Sequence, residues 1–276
     1  MRYVLPFLAA LAAAPALAEE TILTLQDGIA ATLSMPDGAG PFPAVLMLHG
    51  FGSSRDEVGG MYATEAAALA EAGIASLRLD FRGFGQSAGD TGHHTVDRQN
   101  EDAANGLAAL AATAGVDASR IGVLGFSFGG GAAIQLAASN PDVVRSLVTW
   151  SSVGDYDVDF LHSMGQATFD RAANEGIVGL DLGWRTIALK DTFFASLSEH
   201  DILADLARYP GPFLSITGSQ DYYAMYSGPM RDAAGGEDAQ ALVIEGADHI
   251  YQVFDPTASS VEQVISVTTA RFAETL

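Results

Sequence analysis

The sequence IGVLGFSFGGG at residues 121–131 decides the fold of this 276-residue chain. Its first six residues are apolar or glycine, which predicts a parallel strand covered on both faces. Gly125 and Gly129 flank Ser127 in a Gly-x-Ser-x-Gly spacing. Because neither glycine carries a Cβ, the strand can pass directly into a helix with the serine at a strained apex. The segment therefore predicts a strand, a sharp turn and a helix, with the hydroxyl of Ser127 exposed above the sheet.

The residues after Ser127 predict a helix that lies close on the sheet. They read GGAAIQLAA at residues 130–138 and are mostly small or apolar. The N-terminus of this helix would point at the serine hydroxyl, where its free N–H groups and positive dipole end can stabilise an oxyanion. The alternative is a glycine-rich turn that merely exposes a serine. The rest of the chain must therefore supply a base and an acid.

Strand and helix patterns alternate on both sides of this segment. Apolar runs predict strands at 43–48, 74–79, 145–150, 212–217 and 241–245. Helical spacing of apolar residues predicts helices at 57–72, 95–114, 226–234 and 259–275. Two β-prone runs, 21–26 and 29–35, meet at Asp27-Gly28, which is typical of a hairpin. This order predicts an α/β fold with a mostly parallel central sheet, helices on both faces and an antiparallel edge.

The alternation breaks after residue 150. Residues 151–210 contain no apolar strand run, but they show helical patterns at 164–173 and 192–206. Because so long a segment exceeds a plain connection, we expect a small cap inserted at about 151–210 over the carboxyl edge of the sheet. Ordinary peripheral helices are the alternative. Six large cap side chains suit an aromatic or acyl group, unless they form the core of the cap: Phe160, Met164, Phe169, Trp184, Phe193 and Phe194.

The N-terminus has the layout of a secretory signal. The residues MRY precede an apolar run over 4–14, and ALA at 16–18 forms an Ala-x-Ala cleavage site. We expect residues 1–18 to be a signal peptide removed after Ala18, which leaves 19–276 as one domain, periplasmic or secreted. A short membrane anchor is the alternative, but the run is shorter than the roughly 20 residues that a spanning helix needs.

The composition excludes several classes of site. Lys and Arg number 13 against 34 Asp and Glu, for a formal charge of −21. A nucleic-acid partner is therefore not expected, since phosphate binding needs a basic surface. The chain has no cysteine, which removes disulfides, thiolate nucleophiles and thiolate metal sites. Any nucleophile must be an oxygen or a nitrogen atom, and we expect neither a metal nor a cofactor.

Two late strands end in loops that supply an acid and a base. Asp221 follows strand 212–217 in the sequence GSQD, and His249 follows strand 241–245 in GADH. Both loops lie at carboxyl ends of strands, on the edge that carries Ser127. A serine hydroxyl is a weak nucleophile until an imidazole removes its proton, and that imidazole needs a carboxylate to fix its tautomer. The chain order of serine, aspartate and histidine is that of a nucleophile-elbow hydrolase.

Neighbouring residues offer alternatives for some of these roles. Asp155 or Asp157, just after strand 145–150, competes with Asp221 for the role of the acid. Asp248 adjoins the base, but we expect it to point away. Two further histidines are left without an assigned role, and a surface position is expected for them rather than a catalytic one: His162 and His200.

An oxyanion needs two donors at the position of the tetrahedral oxygen. The N–H of Phe128, directly after the serine, is one. The loop after strand 43–48 reads HGFG, and the N–H of Phe51 is our choice for the second. His49 in this loop is expected to be structural rather than catalytic. Residues 80–89, DFRGFGQSAG, are expected to form a supporting turn, because they lack the lysine and the helix start of a phosphate cradle.

These motifs resemble the α/β-hydrolase superfamily over nearly all of residues 19–276. HGFGSSRDE at 49–57, DFRGFGQS at 80–87, the serine motif, GSQD and GADH are similar to those of cinnamoyl (feruloyl) esterases and dienelactone-hydrolase-like proteins. The resemblance implies a serine carboxylesterase with a small cap after the sixth strand. Two residues depart from it: Phe126 stands where many such esterases have histidine, and Ser127 where dienelactone hydrolases have cysteine.

We therefore expect an exported serine hydrolase that cleaves small-molecule carboxylic esters, including aryl or cinnamoyl-type esters, through an acyl-enzyme. A peptidase, thioesterase or acyltransferase with the same three residues is the alternative, and a non-catalytic binding module on this fold is a third interpretation. No membrane anchor is expected after signal cleavage. The oligomeric state and the natural substrate stay open.

Overall fold

Ten strands are present in the computed structural model, which describes residues 19–276. They are β1 (Glu19–Thr24), β2 (Ala30–Met35), β3 (Phe42–Leu48), β4 (Ala75–Leu79), β5 (Val116–Phe126), β6 (Val144–Trp150), β7 (Ile177–Asp181), β8 (Thr186–Lys190), β9 (Phe213–Gly218) and β10 (Ala239–Ile244). Eight form the central sheet in the order β1-β2-β4-β3-β5-β6-β9-β10, and β7 pairs only with β8. Neighbours from β4 to β10 run parallel, while β2 is antiparallel to β1 and β4. The predicted α/β fold with a mostly parallel sheet is confirmed.

Helices cover both faces of this sheet. They are α1 (Met61–Glu71), α2 (Val96–Ala111), α3 (Phe128–Ser139), α4 (Tyr156–Met164), α5 (Gln166–Glu175), α6 (Asp191–Leu197), α7 (Ile202–Leu206), α8 (Ser227–Ala233) and α9 (Ser260–Thr275). Side chains of α2, α3 and α8 pack into one core layer, and those of α1 and α9 into the other. In β3, Leu46 belongs to the first layer and Val45 and Met47 to the second. Burial on both faces explains why this strand reads as an uninterrupted apolar run.

Four helices and a β-hairpin lie between β6 and β9, in the segment where the sequence predicts a cap. The hairpin of β7 and β8 was not expected. Each strand has five residues, and burial alternates along them, with Val178, Ile187 and Leu189 buried among more exposed neighbours. Strands this short and half-buried lack the continuous apolar run that marks the central strands.

The predicted signal peptide, residues 1–18 with its cleavage site at Ala18, lies outside the described residues. Among residues 19–276, no helix combines the length and the apolar character needed to cross a membrane. The edge hairpin is present as β1 and β2, joined through a short 3-10 turn at Gln26–Gly28. Asp27 takes a φ of 59° in this turn, a conformation that Asp tolerates better than most residues.

Candidate active site

Ser127 occupies the turn between β5 and α3 in a conformation that few L-residues adopt. Its φ is 53° and its ψ is −119°, and strain of this kind often marks a functional residue. The N–H of Ser127 donates to the Trp150 carbonyl at 2.9 Å, while its own carbonyl accepts from Gly130 at 2.9 Å and Val153 at 3.2 Å. Bonds to the end of β6, the residues after it and α3 therefore fix the serine at the apex of the turn.

Close backbone approach requires both glycines of the serine motif. A Cβ on Gly129 would overlap the carbonyl oxygen of Leu48 at the end of β3, and a Cβ on Gly125 would overlap the carbonyl oxygen of Gly129. Helix α3 therefore begins directly against the end of β3. The same approach brings the next loop to the serine, since a Cβ built on Gly50 would lie 3.2 Å from the Cβ of Ser127.

His249 links Ser127 to Asp221. Its Nε2 lies 3.2 Å from Ser127 Oγ, and its Nδ1 lies 3.1 and 3.2 Å from the two Asp221 oxygens. Because a carboxylate can only accept, Nδ1 carries the proton, and Nε2 is left to accept from the serine hydroxyl. The Asp221 side chain is 2% exposed and that of His249 37% exposed. The structure thus brings together the three residues expected from the sequence, with the acid shielded and the base open to solvent.

The alternative acids lie elsewhere. Asp155 caps the N-terminus of α4, and Asp157 is exposed in the first turn of that helix. Asp248 accepts from the N–H groups of Ile250 at 3.1 Å and Gln252 at 2.8 Å. Asp248 therefore bonds to the backbone of the loop that carries the histidine and shapes that loop.

Hydrogen bonds hold both polar groups of Gly50 in the loop after β3. The carbonyl of Gly50 accepts from His49 Nδ1 at 2.8 Å and from the N–H of Ser53 at 3.3 Å. Its N–H donates to Glu57 Oε1. His49 Nε2 accepts from the N–H of Phe81 at 3.0 Å, and burial lowers the pKa of His49 to about 4. His49 is therefore a neutral residue that shapes the loop.

The N–H groups of Phe51 and Phe128 have no hydrogen-bond acceptor within residues 19–276. Phe128 is the first residue of α3, where a helix offers its own N–H groups no partner. The two aromatic rings pack edge to face, with centroids 5.7 Å apart. Unpaired N–H donors from two elements beside the serine are what an oxyanion requires.

Residues 80–89 form a supporting turn around a buried carboxylate. Asp80 accepts from the N–H of Arg55 at 2.6 Å and of Gln86 at 2.8 Å, and it also accepts from the guanidinium of Arg55. A Cβ on Gly85 would overlap this carboxylate, which explains the glycine. The ion pair ties the turn to the loop after β3, near the end of that loop.

A cavity of about 550 Å³ opens beside the serine and the histidine. Its wall includes two largely exposed aromatic side chains, Trp184 and Phe254. At the tip of the β7–β8 hairpin, Trp184 Nε1 donates to the Gly52 carbonyl at 3.3 Å, and Arg185 donates to the same oxygen at 3.4 Å. The hairpin therefore closes one side of the cavity directly over the loop after β3.

Most of the large cap side chains pack away from this cavity. Phe160 and Phe193 are buried against the ring of Phe51, with centroid distances of 5.1 and 5.6 Å. Five of the six residues considered from the sequence belong to, or pack against, the core layer that also contains Phe128 of α3: Phe160, Met164, Phe169, Phe193 and Phe194. The sixth, Trp184, lines the cavity.

Two charged residues in the cavity wall were not expected from the sequence. Glu57, predicted as a helix start, accepts from Ser53 Oγ at 2.7 Å and the N–H of Val58 at 3.0 Å, and burial raises its pKa to about 7. Arg185 stacks over the ring of Phe84 at 5.4 Å. The motif HGFGSSRDE ends in Glu57, and this position in the motif was the sequence signal that could have placed Glu57 in the site. Arg185 lies in the unexpected hairpin.

The fold and this arrangement of serine, histidine and aspartate at the carboxyl edge of a parallel sheet define an α/β hydrolase. The family model described as "Serine aminopeptidase, S33" matches residues 39–182, about half of the chain. The chain belongs to this α/β-hydrolase family.

Curated relatives include esterases. Esterase EstD of Thermotoga maritima is 27% identical over 252 residues, which cover 84% of this chain and 60% of the relative. An uncharacterized 31.7 kDa protein of Escherichia coli, from the traX-finO intergenic region, is 34% identical over 134 residues. These cover 49% of this chain and 46% of the relative. The chain therefore spans about half to three fifths of the length of these two relatives.

Solved structures share the fold. A dienelactone hydrolase from Anabaena variabilis superposes with a TM-score of 0.67 at 19% identity, covering 95% of this chain and all of that one. Est1E from Butyrivibrio proteoclasticus, solved with ferulic acid, has a TM-score of 0.71 at 22% identity, covering 90% of this chain and 96% of that one. The resemblance stated from the sequence is confirmed at the level of the fold.

The raised pKa of Glu57 predicts a pH-dependent penalty on stability. The folded protein keeps this proton up to about pH 7, whereas the unfolded chain releases it near the ordinary glutamate pKa of 4.5. Wild type should therefore lose about 3 kcal/mol of unfolding free energy relative to Glu57→Gln as pH rises from about 4.5 to 7. Urea unfolding of both proteins across this range measures the difference. Parallel stability curves would contradict it.

Proposed function

We propose that this chain is a serine esterase, acting through Ser127, His249 and Asp221 by way of an acyl-enzyme. The observation that carries the proposal is the pair of hydrogen-bond distances that join these residues, 3.2 Å from serine to histidine and 3.1 Å from histidine to aspartate. A relative named as an esterase supports an ester as the bond that is cleaved.

The geometry supports a two-step reaction. Ser127 Oγ attacks the ester carbonyl carbon as its proton passes to His249 Nε2, and Asp221 stabilises the imidazolium. The N–H groups of Phe51 and Phe128 receive the oxyanion. When the tetrahedral intermediate collapses, the C–O bond to the alcohol breaks and His249 returns the proton to the leaving oxygen. Water then attacks the acyl-enzyme by the same route, which releases the acid and restores the serine.

The proposed substrates are esters with an aryl or cinnamoyl-type group. The cavity wall is largely apolar, and the indole of Trp184 and the ring of Phe254 are available for stacking against an aromatic group. Ferulic acid bound to Est1E, a protein of the same fold, is consistent with this class.

An aminopeptidase is the second candidate, since the family model carries that name. Recognition of a substrate's α-ammonium group needs a carboxylate with acceptor sites open to the substrate. Glu57 is a buried carboxylate in the cavity wall, and three N–H and O–H donors already occupy most of its acceptor sites. This engagement favours the ester.

Loss of the serine nucleophile should abolish activity. We expect Ser127→Ala to lower kcat on an aryl acetate by about 10⁴-fold or more, and His249→Ala to have a similar effect. Ser127→Ala should also lose covalent labelling by a fluorophosphonate. Ser139→Ala, an exposed serine at the other end of α3, is the matched control and should keep both properties. An unlabelled wild type, or faster cleavage of an aminoacyl anilide than of any ester, would reject the esterase.

The aromatic wall predicts a substrate preference. Trp184→Ala should raise KM for a cinnamate ester by about tenfold while changing KM for the matching acetate less than about threefold, because only the larger acyl group reaches the indole. Trp184→Phe keeps an aromatic surface, so its KM for the cinnamate ester should lie between those of wild type and Trp184→Ala. Equal effects on both esters would show that Trp184 acts on the loop through Gly52 rather than on the substrate.

Export is part of the proposal. It is supported by the charged start, the apolar run and the Ala-x-Ala sequence of residues 1–18. Expression of the full chain in a bacterium should yield a protein in the periplasm or the medium whose intact mass corresponds to residues 19–276. A cell-associated protein that retains residues 1–18 would contradict it.

A further inference from the structure

Glu57 is a buried carboxylate in the wall of the cavity, outside the triad. Its Oε1 accepts from the N–H of Gly50, and its Oε2 accepts from Ser53 Oγ at 2.7 Å and from the N–H of Val58 at 3.0 Å. Within residues 19–276, no Lys, Arg or His forms an ion pair with it. The carboxylate is thus held by neutral donors only.

Keeping this group in place is unfavourable in two ways. Removing a carboxylate from water without a cation beside it is unfavourable, and hydrogen bonds offset that cost only in part. The backbone of Glu57 also has a φ of 60° and a ψ of 177°, a strained conformation for a residue with a Cβ. Strain and buried charge coincide here with the wall of a catalytic cavity, which indicates a function.

Glu57 completes a clamp on Gly50. The carbonyl of Gly50 is already held by His49 Nδ1 and by the N–H of Ser53. Because a trans peptide unit is planar, the N–H of Phe51 points opposite to that carbonyl. Fixing both the N–H and the carbonyl of Gly50 therefore fixes the direction of the Phe51 N–H.

The other charged and titratable groups around Glu57 come from three elements. His249, in the loop after β10, interacts with Glu57 and favours its charged form. Burial, followed by the charge of Glu57, raises the pKa of Tyr62 in α1. Arg185 lines the same cavity from the hairpin tip. A negative charge on Glu57 would therefore also stabilise the imidazolium that His249 becomes during the reaction.

We propose that Glu57 is a positioning residue of the esterase site, whose ionised carboxylate holds Gly50 so that the Phe51 N–H faces the oxyanion. The proposal rests on the proposed function and adds to it a fourth side chain on which turnover depends. Glu57 touches neither the ester nor the water; it acts through the loop.

The decisive variant is Glu57→Gln. Its side chain keeps an acceptor for Gly50 but turns an amide N–H₂ toward donors, so the clamp loosens. We expect kcat on an aryl acetate to fall about 10- to 100-fold, because a displaced oxyanion donor loses part of its effect. KM should stay within about threefold, since the aromatic wall is unchanged. Labelling by a fluorophosphonate should persist at a lower rate.

Glu65→Gln is the matched control. Glu65 is also a buried glutamate with a raised pKa, but it bonds Thr269 on α9, away from the cavity. This variant should keep kcat within about threefold of wild type. If the two variants lose kcat in the same proportion, or if Glu57→Gln keeps the wild-type kcat, the positioning role is wrong.

The pH profile separates positioning from general loss of structure. In wild type, log kcat/KM should rise as pH increases through about 7, where Glu57 ionises. In Glu57→Gln the rise should be shallower, because one titrating group is gone. Identical slopes would overturn the proposal. Failure of the esterase itself is distinguishable, since the wild-type protein would then neither cleave an aryl acetate nor be labelled by the fluorophosphonate.

Discussion

The contact between the N-terminus of α3 and the end of β3 is the constraint on which the site depends. The Leu48 carbonyl fills the space that a side chain on Gly129 would need. This approach directs the N-terminal N–H groups of α3 toward the serine, and it brings Gly50 to the same point. A helix displaced by the thickness of one methyl group would separate the two oxyanion donors that come from different elements. The Gly-x-Ser-x-Gly spacing thus determines the position of a loop more than 70 residues earlier in the chain.

A parallel sheet then brings the remaining groups to the same edge. Serine follows β5, aspartate follows β9 and histidine follows β10, and these strands lie within five consecutive positions of the sheet together with β3. His249 and Ser127 are 122 residues apart, yet they form a hydrogen bond. Carboxyl ends of parallel strands share one edge, so distant loops meet without any long excursion of the chain.

The same logic explains how much could be read from the sequence. Strands such as β3 and the second half of β5 are continuous apolar runs because both faces are buried. Ser127 follows β5 directly, whereas Asp221 and His249 lie a few residues after β9 and after the partly buried edge strand β10. The β7–β8 hairpin gives no such signal, since its strands are short and half-buried. The motif at 49–57 contains Glu57, but its role could not be read from the sequence, because that role depends on a hydrogen bond from Gly50 that forms only when the loop folds back. The local pattern of apolar residues predicts strands and helices, whereas contacts within a loop become visible only in the folded structure.

The two side chains that clamp Gly50 differ in their charge. Burial lowers the pKa of His49 to about 4, so it donates and accepts as a neutral ring. Burial raises the pKa of Glu57 to about 7, so close to neutrality about half of the molecules carry its charge. An anion here repels the oxyanion at the Phe51 N–H but attracts the imidazolium at His249, and both charges develop in the same step. Because the two electrostatic effects oppose each other, ionisation of Glu57 acts mainly through the hydrogen bond from Gly50, which an ionised carboxylate accepts more strongly than a protonated one.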